Sequence, residues 1–366
     1  MSKVLILDCN DYESVDATIS RAFEEFPQQW SGKKVLVKPN ILNSRSPERG
    51  CTTHPSIVRA VTKWLLDAGA QVTVGDNPGS SGRGANERCA RGTGIAEAAI
   101  GCYENISRDG VATEIKSRFA RQLVISKAVL DADIVVSLPK FKTHGLTQIT
   151  GAIKNMFGIV VGGEKGRMHA VTGSYRDFSE VLVDIYQIRI PDLVIMDAVV
   201  GMEGNGPSAG DLRQIGKIIA SDDGVAVDAV MTTMMGKRPE KIQLLRVAAQ
   251  RGIGQIDVSK INIIGELEVI KDFRMPSTFL CHVAGRIANN KLVRLFIDHK
   301  PVVMEDKCKG CQECAEVCPV GAISMIDRIP LINRKICIQC FCCQELCPNE
   351  AIELRHSSFF GWRLRK

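Results

Sequence analysis

Cys308-Lys-Gly-Cys311-Gln-Glu-Cys314-Ala-Glu-Val-Cys318-Pro319 returns as Cys337-Ile-Gln-Cys340-Phe-Cys-Cys343-Gln-Glu-Leu-Cys347-Pro348, with every paired cysteine and the closing proline displaced by 29 residues. The match continues beyond the cysteines, Ala322-Ile323 aligning with Ala351-Ile352, as expected of a duplicated unit in which each half supplies a short strand, a ligand loop and a helix. The offset also assigns the adjacent thiols: Cys343 falls opposite Cys314, while Cys342 falls opposite Glu313 and is read as a spare. Zinc sites usually combine two separated Cys-x2-Cys or Cys/His pairs, not three close cysteines followed by Cys-Pro.

The repeat resembles bacterial-type ferredoxins that carry two 4Fe-4S clusters. In that motif three cysteines of one loop ligate one cluster and the fourth ligates the other. The resemblance therefore implies one cluster on Cys308, Cys311, Cys314 and Cys347, and a second on Cys337, Cys340, Cys343 and Cys318.

This small module cannot account for 366 residues, so roughly 300 residues upstream are available for a large core, and the chain is read as a fusion. Eight of the fourteen cysteines belong to the repeat. The other six, Cys9, Cys51, Cys89, Cys102, Cys281 and Cys342, show no disulfide-like spacing, which suits a reducing cytoplasm. The opening Met-Ser-Lys-Val-Leu-Ile-Leu-Asp reaches an acidic residue after four apolar ones, and no apolar run approaches the roughly 18 residues of a membrane span. A cytoplasmic protein that is not transmembrane is expected. The formal charge of +6 falls to about +2 once eight thiolates and two oxidised cluster cores are included. Mixed surface charge and 5% aromatic residues give no nucleic-acid signature.

Upstream, short β-branched runs alternate with amphipathic segments, the pattern of an α/β fold with a mostly parallel sheet and flanking helices. Strands are expected at Lys34–Val37, Gln71–Gly75, Ile134–Leu138, Leu193–Met196, Lys217–Ala220 and Ile261–Ile264. Helices are expected at Ser14–Phe26, Pro55–Ala70, Tyr175–Ile188, Val225–Met235 and Glu240–Gln250. The expected organisation is an α/β domain over 1–272, a helical connector over 273–304, a small α+β two-cluster ferredoxin-like domain over 305–354, and a basic, aromatic tail over 355–366. The tail carries Phe359, Phe360 and Trp362.

In α/β domains chemistry gathers on loops beyond the carboxyl ends of strands. One such segment places Lys38 and Asn40 before His54 at a helix start. A second is Gly75-Asp76-Asn77-Pro78-Gly79. A third, after Ile134–Leu138, concentrates Lys140, Lys142, His144, Lys154, Asn155, Lys165 and His169. If the strand continues, Lys140 and Lys142 share one face. A fourth, Asp197 to Pro207, is glycine-rich and is read as a loop able to cover a ligand. No Gly-x4-Gly-Lys-Ser/Thr is present, and Gly204-x-Gly206-x3-Gly210 misses the dinucleotide spacing. The minimum reading is a cationic pocket for a small anionic ligand. Asp222, Asp223 and Asp228 are read as capping and beginning a helix.

Val37-Lys38-Pro39-Asn40, Thr53-His54-Pro55, Gly75-Asp76-Asn77-Pro78-Gly79, Pro139-Lys140-Phe141-Lys142-Thr143-His144 and Lys154-Asn155-Met-Phe-Gly158 together resemble the uncharacterised domain of unknown function 362 family over roughly residues 1–270. Members of that family are often fused to a two-cluster ferredoxin module. A weaker similarity is to the N-terminal domain of the nickel-pincer lactate racemases. It implies that His144, Lys154 and His169 stand where that family has a proton-transferring His, a cofactor-tethering Lys and a nickel-ligating His. The loop that carries the second proton-transferring His in that family reads Asp76-Asn77-Pro78-Gly79 here, which speaks against two-base racemisation. The expected function is electron transfer through two 4Fe-4S clusters, to or from an anionic substrate or cofactor in the α/β domain, with a redox partner protein. A redox-silent assembly module and a non-redox pincer-type enzyme are the alternatives.

Overall fold

Val35 and Val37, Ile134, Val136 and Leu138, and Leu193 and Ile195 are buried on one side of a sheet, while Leu36, Val135, Val194 and Met196 are buried on the other. Apolar runs that serve both faces belong to strands covered by helices on both sides. The computed structural model describes residues 1–79, 84–278 and 299–356.

The α/β part contains β1 (Lys3–Asp8), β2 (Lys34–Pro39), β3 (Gln71–Val74), β4 (Gly110–Glu114), β5 (Gln122–Ser126), β6 (Ile134–Leu138), β7 (Lys140–His144), β8 (Gln148–Thr150), β9 (Leu193–Glu203), β10 (Asp211–Ser221) and β11 (Asn262–Ile264). The main sheet runs β11-β1-β10-β9-β6-β2-β3, with β7 beside β9 and β8 beside β7. Strands β3, β2, β6 and β9 are mutually parallel, whereas β10 lies antiparallel between β9 and β1. Strands β4 and β5 form a separate hairpin. Helices Val15–Glu25 and Pro55–Asp67 cover one face; Tyr175–Tyr186, Gly224–Met234 and Gln243–Gln250 cover the other.

The expected elements are present, with informative differences. Asp197 to Glu203, read from its glycines as a loop, continues β9, because β10 pairs with it out to Asp211 opposite Glu203; only the residues after it form the turn. The segment after β6 is likewise a strand, β7, so Lys140, Lys142 and His144 do alternate onto one face. Asp223 caps helix Gly224–Met234 by accepting from Val225 and Ala226. Asp228 lies inside that helix and instead caps a different segment, accepting from the Ala152 and Ile153 amides at 2.6 and 3.0 Å.

The C-terminal part contains β12 (His299–Val303), β13 (Ile323–Ile326), β14 (Ile329–Ile332) and β15 (Ile352–His356), with short helices at Glu313–Glu316 and Cys342–Leu346. Residues 299–303, expected to close a helical connector, are therefore a strand: β12 pairs with β15, and the backbone bonds of that ladder hold it extended. Residues 279–298 of the expected helical connector, and the tail from residue 357, lie outside the described residues. The repeat is written in the backbone as well as the sequence. Left-handed residues recur at the 29-residue offset, Gly310 with Gln339, Gln312 with Phe341 and Gly321 with Glu350. Strand β12 corresponds to β14 and β13 to β15, yet β12 pairs with β15 and β13 with β14. Each half thus completes its ladder with a strand of the other.

Candidate functional site

Lys38, next to last in β2, has its side chain fully buried. Its Nζ is 2.7 Å from Asp76 Oδ1 and donates to Pro39 O and Asn155 Oδ1 at 3.2 and 3.4 Å. Burial lowers the lysine pKa and Asp76 opposes that shift. Gly158 is required beside the pair, since a Cβ there would collide with Asp76 Oδ1 and approach Lys38 Nζ to 2.8 Å. Asn155 Nδ2 donates to Ser137 Oγ at 2.9 Å, holding the amide between β2 and β6.

Along β7, Lys140 Nζ donates to Asp197 Oδ2 and Tyr12 OH at 2.6 and 2.8 Å. The Tyr12 ring stacks on His54 at 3.6 Å, and His54 Nδ1 accepts from the Ser56 amide, capping helix Pro55–Asp67. Lys140, Tyr12, Asp197 and His54 are thus one network beside the Lys38 pair. Asn40 lies at its margin, its backbone amide donating to Thr53 Oγ1 at 2.9 Å. Lys142 Nζ is buried and donates to Cys51 O. Burial pushes its pKa down to about 7.

His144 ends β7 in full burial. Its Nδ1 accepts from the Leu146 amide at 3.0 Å, so the proton of the neutral ring sits on Nε2, 3.2 Å from Glu345 Oε1. Lys154 points to the same place: burial lowers its pKa while the Glu345 charge acts to raise it. Its Nζ lies 5.8 Å from the Phe157 ring centroid and forms no hydrogen bond or ion pair among the described residues. His169 packs on Phe178 and Phe157. Burial pushes it down to about 3, with Lys154 and Lys165 adding to the effect. Its buried Nδ1 has no hydrogen-bond partner among the described residues. Lys165 Nζ donates to Asn77 O and Pro78 O, and burial lowers it to about 8.

The nine expected α/β residues therefore gather beyond the carboxyl ends of the parallel strands, where ligands of open α/β sheets bind. Lys142, His144 and Lys154 share the field of Glu345, with Lys38 and Asn155 on the Asp76 pair and His169 on Phe157 and Phe178, while Lys140 and His54 are absorbed in the Tyr12 and Asp197 network and Asn40 lies beside it. Glu345 was not foreseen. Its repeat counterpart Glu316 is exposed, and that loop context reads as a surface carboxylate; the covering α/β domain, not the local sequence, buries it.

Linkage gives Lys142 a testable sign. The folded chain binds its proton less tightly than the unfolded chain, so stability should rise with pH from about 7 to the ordinary lysine value of 10.5. Lys142→Met should flatten that part of a urea-midpoint profile; an unchanged slope would show that Lys142 keeps its ordinary pKa.

The eight repeat cysteines line two separate voids. Cys308, Cys311, Cys314 and Cys347 line one void of about 330 Å³, open solvent included. Cys318, Cys337, Cys340 and Cys343, with the spare Cys342, line another of about 320 Å³. Backbone amides of Ala322 and Ala351 donate to Cys318 and Cys347 Sγ at 3.1 and 3.2 Å, again at the repeat offset. Among the described residues no three Cys, His, Asp or Glu side chains converge as ligands of a single ion would. Thiols spread around voids suit clusters, which supply one-electron chemistry when bound.

Residues 35–233, which include this lysine and histidine group, match the family described as "Domain of unknown function (DUF362)". The chain belongs to the DUF362 family. Residues 301–324 of this DUF362 protein match the "4Fe-4S binding domain" family, so it is an iron–sulfur protein. It is 36% identical over 225 residues to the "Thylakoid-associated protein sll1697" of Synechocystis sp. (strain ATCC 27184 / PCC 6803 / Kazusa), a match covering 61% of this chain and 68% of that one. Similar solved structures include a Thermotoga maritima protein, at 13% identity and TM-score 0.40, covering 60% of this chain. The lactate racemase apoprotein of Thermoanaerobacterium thermosaccharolyticum is another, at 12% identity and TM-score 0.40, covering 64% of this chain. The DUF362 chain spans 57% of each of these two structures, a likeness too slight to transfer the racemase chemistry. Among the described residues no helix is long and apolar enough to cross a membrane.

Proposed function

We propose that this chain transfers single electrons, through an outer and an inner 4Fe-4S cluster, between a redox partner and an anionic substrate or cofactor held at the Lys142, His144, Lys154 and His169 group. The observation that carries the reading is the unequal burial of two equivalent halves. Phe341, Cys342, Gln344, Glu345 and Leu346 are buried, whereas their counterparts Gln312, Glu313, Ala315, Glu316 and Val317 are exposed or partly exposed. Three of the Cys337, Cys340, Cys343 and Cys318 set, all but Cys318, therefore belong to the half turned toward the lysines, while Cys311 of the other set is exposed. Arg45 strengthens the seating by donating to Ser208 O at 2.8 Å and also to Cys347 O.

Within the α/β part, Lys154 and Lys142 supply positive charge for an anion. The Leu146 amide fixes the His144 tautomer, so that Nε2 presents a proton donor. The covering helix Cys342–Leu346 keeps water from the group and strengthens each charge there. The described cysteines form no disulfide, in keeping with a reducing, cytoplasmic setting.

The test is mass spectrometry with metal analysis of the anaerobically purified native chain and of Lys154→Ala. A small anionic molecule is expected with the native chain and absent from the variant, at equal iron content. Iron alone, identical in both, would sink the ligand-site part and leave an electron carrier. EPR during an anaerobic reductive titration should show reversible reduction. Clusters that resist reduction until the chain unfolds would instead leave an assembly module.

A further inference from the structure

The C-terminal module has two equivalent β ladders, each with an inward face on the cysteine voids, where Pro301 and Ile352 are buried as are their repeat counterparts Pro330 and Ile323. On the outward face, the β12 and β15 ladder carries Lys300, Val302, Glu353 and Arg355, partly or fully exposed and mostly charged. In the β13 and β14 ladder, Ile326, Ile329 and Leu331 are 54%, 37% and 57% exposed, and Ile336 just beyond is 46% exposed. A concentration of large apolar side chains on one small surface marks an interaction site. The same face of the related ladder is charged apart from Val302, so its repeat partner does not share this apolar character.

The surroundings of the patch are basic. Lys309, Arg328, Arg334 and Lys335 are exposed and form no ion pair among the described residues. Asp327 is the single acidic residue from 321 to 336. The patch also adjoins the outer thiolates. Arg328 donates to Lys309 O at 3.4 Å, and Met325 and Pro330 line the same void as Cys308, Cys311, Cys314 and Cys347.

We infer that this hairpin face docks an acidic electron-carrier protein. The inference rests on the electron-transfer reading and adds to it the partner's chemistry and the place it docks. An apolar centre ringed by unpaired cations fits an apolar patch ringed by carboxylates, the arrangement that speeds encounter and fixes orientation. A second copy would oppose cation to cation. The chain's own end, with Arg363, Arg365 and Lys366, carries the wrong sign as well.

The test is stopped-flow reduction of the full holoprotein by flavodoxin hydroquinone, an acidic carrier, with dithionite as a small reductant that needs no docking face. The variants are Arg334→Glu with Lys335→Glu, and Ile329→Ser with Leu331→Ser, each checked for native iron content. Both should lose about tenfold in the second-order rate with flavodoxin, and the native rate should fall with added salt, while dithionite rates stay equal. Equal flavodoxin rates in all chains would overturn the inference. So would a native chain that sediments with anionic phospholipid vesicles through these same residues at an unchanged flavodoxin rate, which would make the face a membrane contact. A tenfold gain on removing residues 357–366 would make the tail its occupant, and a native dimer abolished by either variant would make it a self-contact. If dithionite leaves the native clusters oxidised, the electron-transfer reading falls first and the docking inference with it.

Discussion

Cys340→Ser should remove about half of the iron and lower the thermal midpoint of the chain by about 5 °C, whereas Cys311→Ser should remove a similar share of iron with little thermal effect. The first half of the result follows from the ligand division, since each cysteine belongs to a different set of four. The asymmetry follows from what each loop touches. Phe341 and Leu354 are part of the core built around Phe141, Phe178 and Met196, and Leu346 lies against Gly79. Loosening the inner loop exposes such side chains, and burial of one the size of Phe341 contributes about 1.5–3 kcal/mol. For a domain of roughly this size each kcal/mol moves the midpoint by about 2–4 °C. Cys311 is exposed, and its loop lends nothing to that core. Metal analysis with calorimetry decides the matter. Equal thermal losses from the two variants, or full iron in either, would contradict the assignment of inner and outer sets.

Asp76→Ala should cost about 3–5 kcal/mol in urea unfolding, because it strands the buried Lys38 ammonium without its counter-charge. Lys38 is fully buried and Asp76 nearly so. The second carboxylate oxygen of Asp76 also accepts from the Ile41 amide at 2.8 Å, so the variant orphans a backbone donor too. Lys38→Met combined with Asp76→Ala should recover much of the loss, since removing both charges removes the desolvation penalty they share. A single substitution costing under about 1 kcal/mol would show that water reaches Lys38, the behaviour of an exposed pair.

The residues of both candidate sites were legible in the sequence to different depths. The eight repeat cysteines stand out by spacing alone, because a duplicated loop repeats its backbone as faithfully as its cysteines, down to the left-handed residues Gln312 and Phe341. The two-faced burial of β2 and β6 follows from their continuous apolar runs, Val35–Val37 and Ile134–Val136. Where strand and loop compete, short-range signals failed. Asp197 to Glu203 looked like a glycine-rich loop, and pairing with β10 made it a strand. The weakly patterned β4 and β5 were missed for the same reason, since each is held by its partner and not by its own composition.

By itself the sequence determined the fold class, the duplicated cysteine module and the cationic character of the segments that follow β2 and β6. These rest on periodicity and spacing, which act along the chain. Only the tertiary structure decided which half of the duplication faces inward. Glu316 and Glu345 occupy the same place in the repeat, yet one is exposed and the other lies buried 3.2 Å from His144 Nε2. Burial, and with it the electrostatics of a carboxylate beside two lysines and a histidine, is set by what packs across from it.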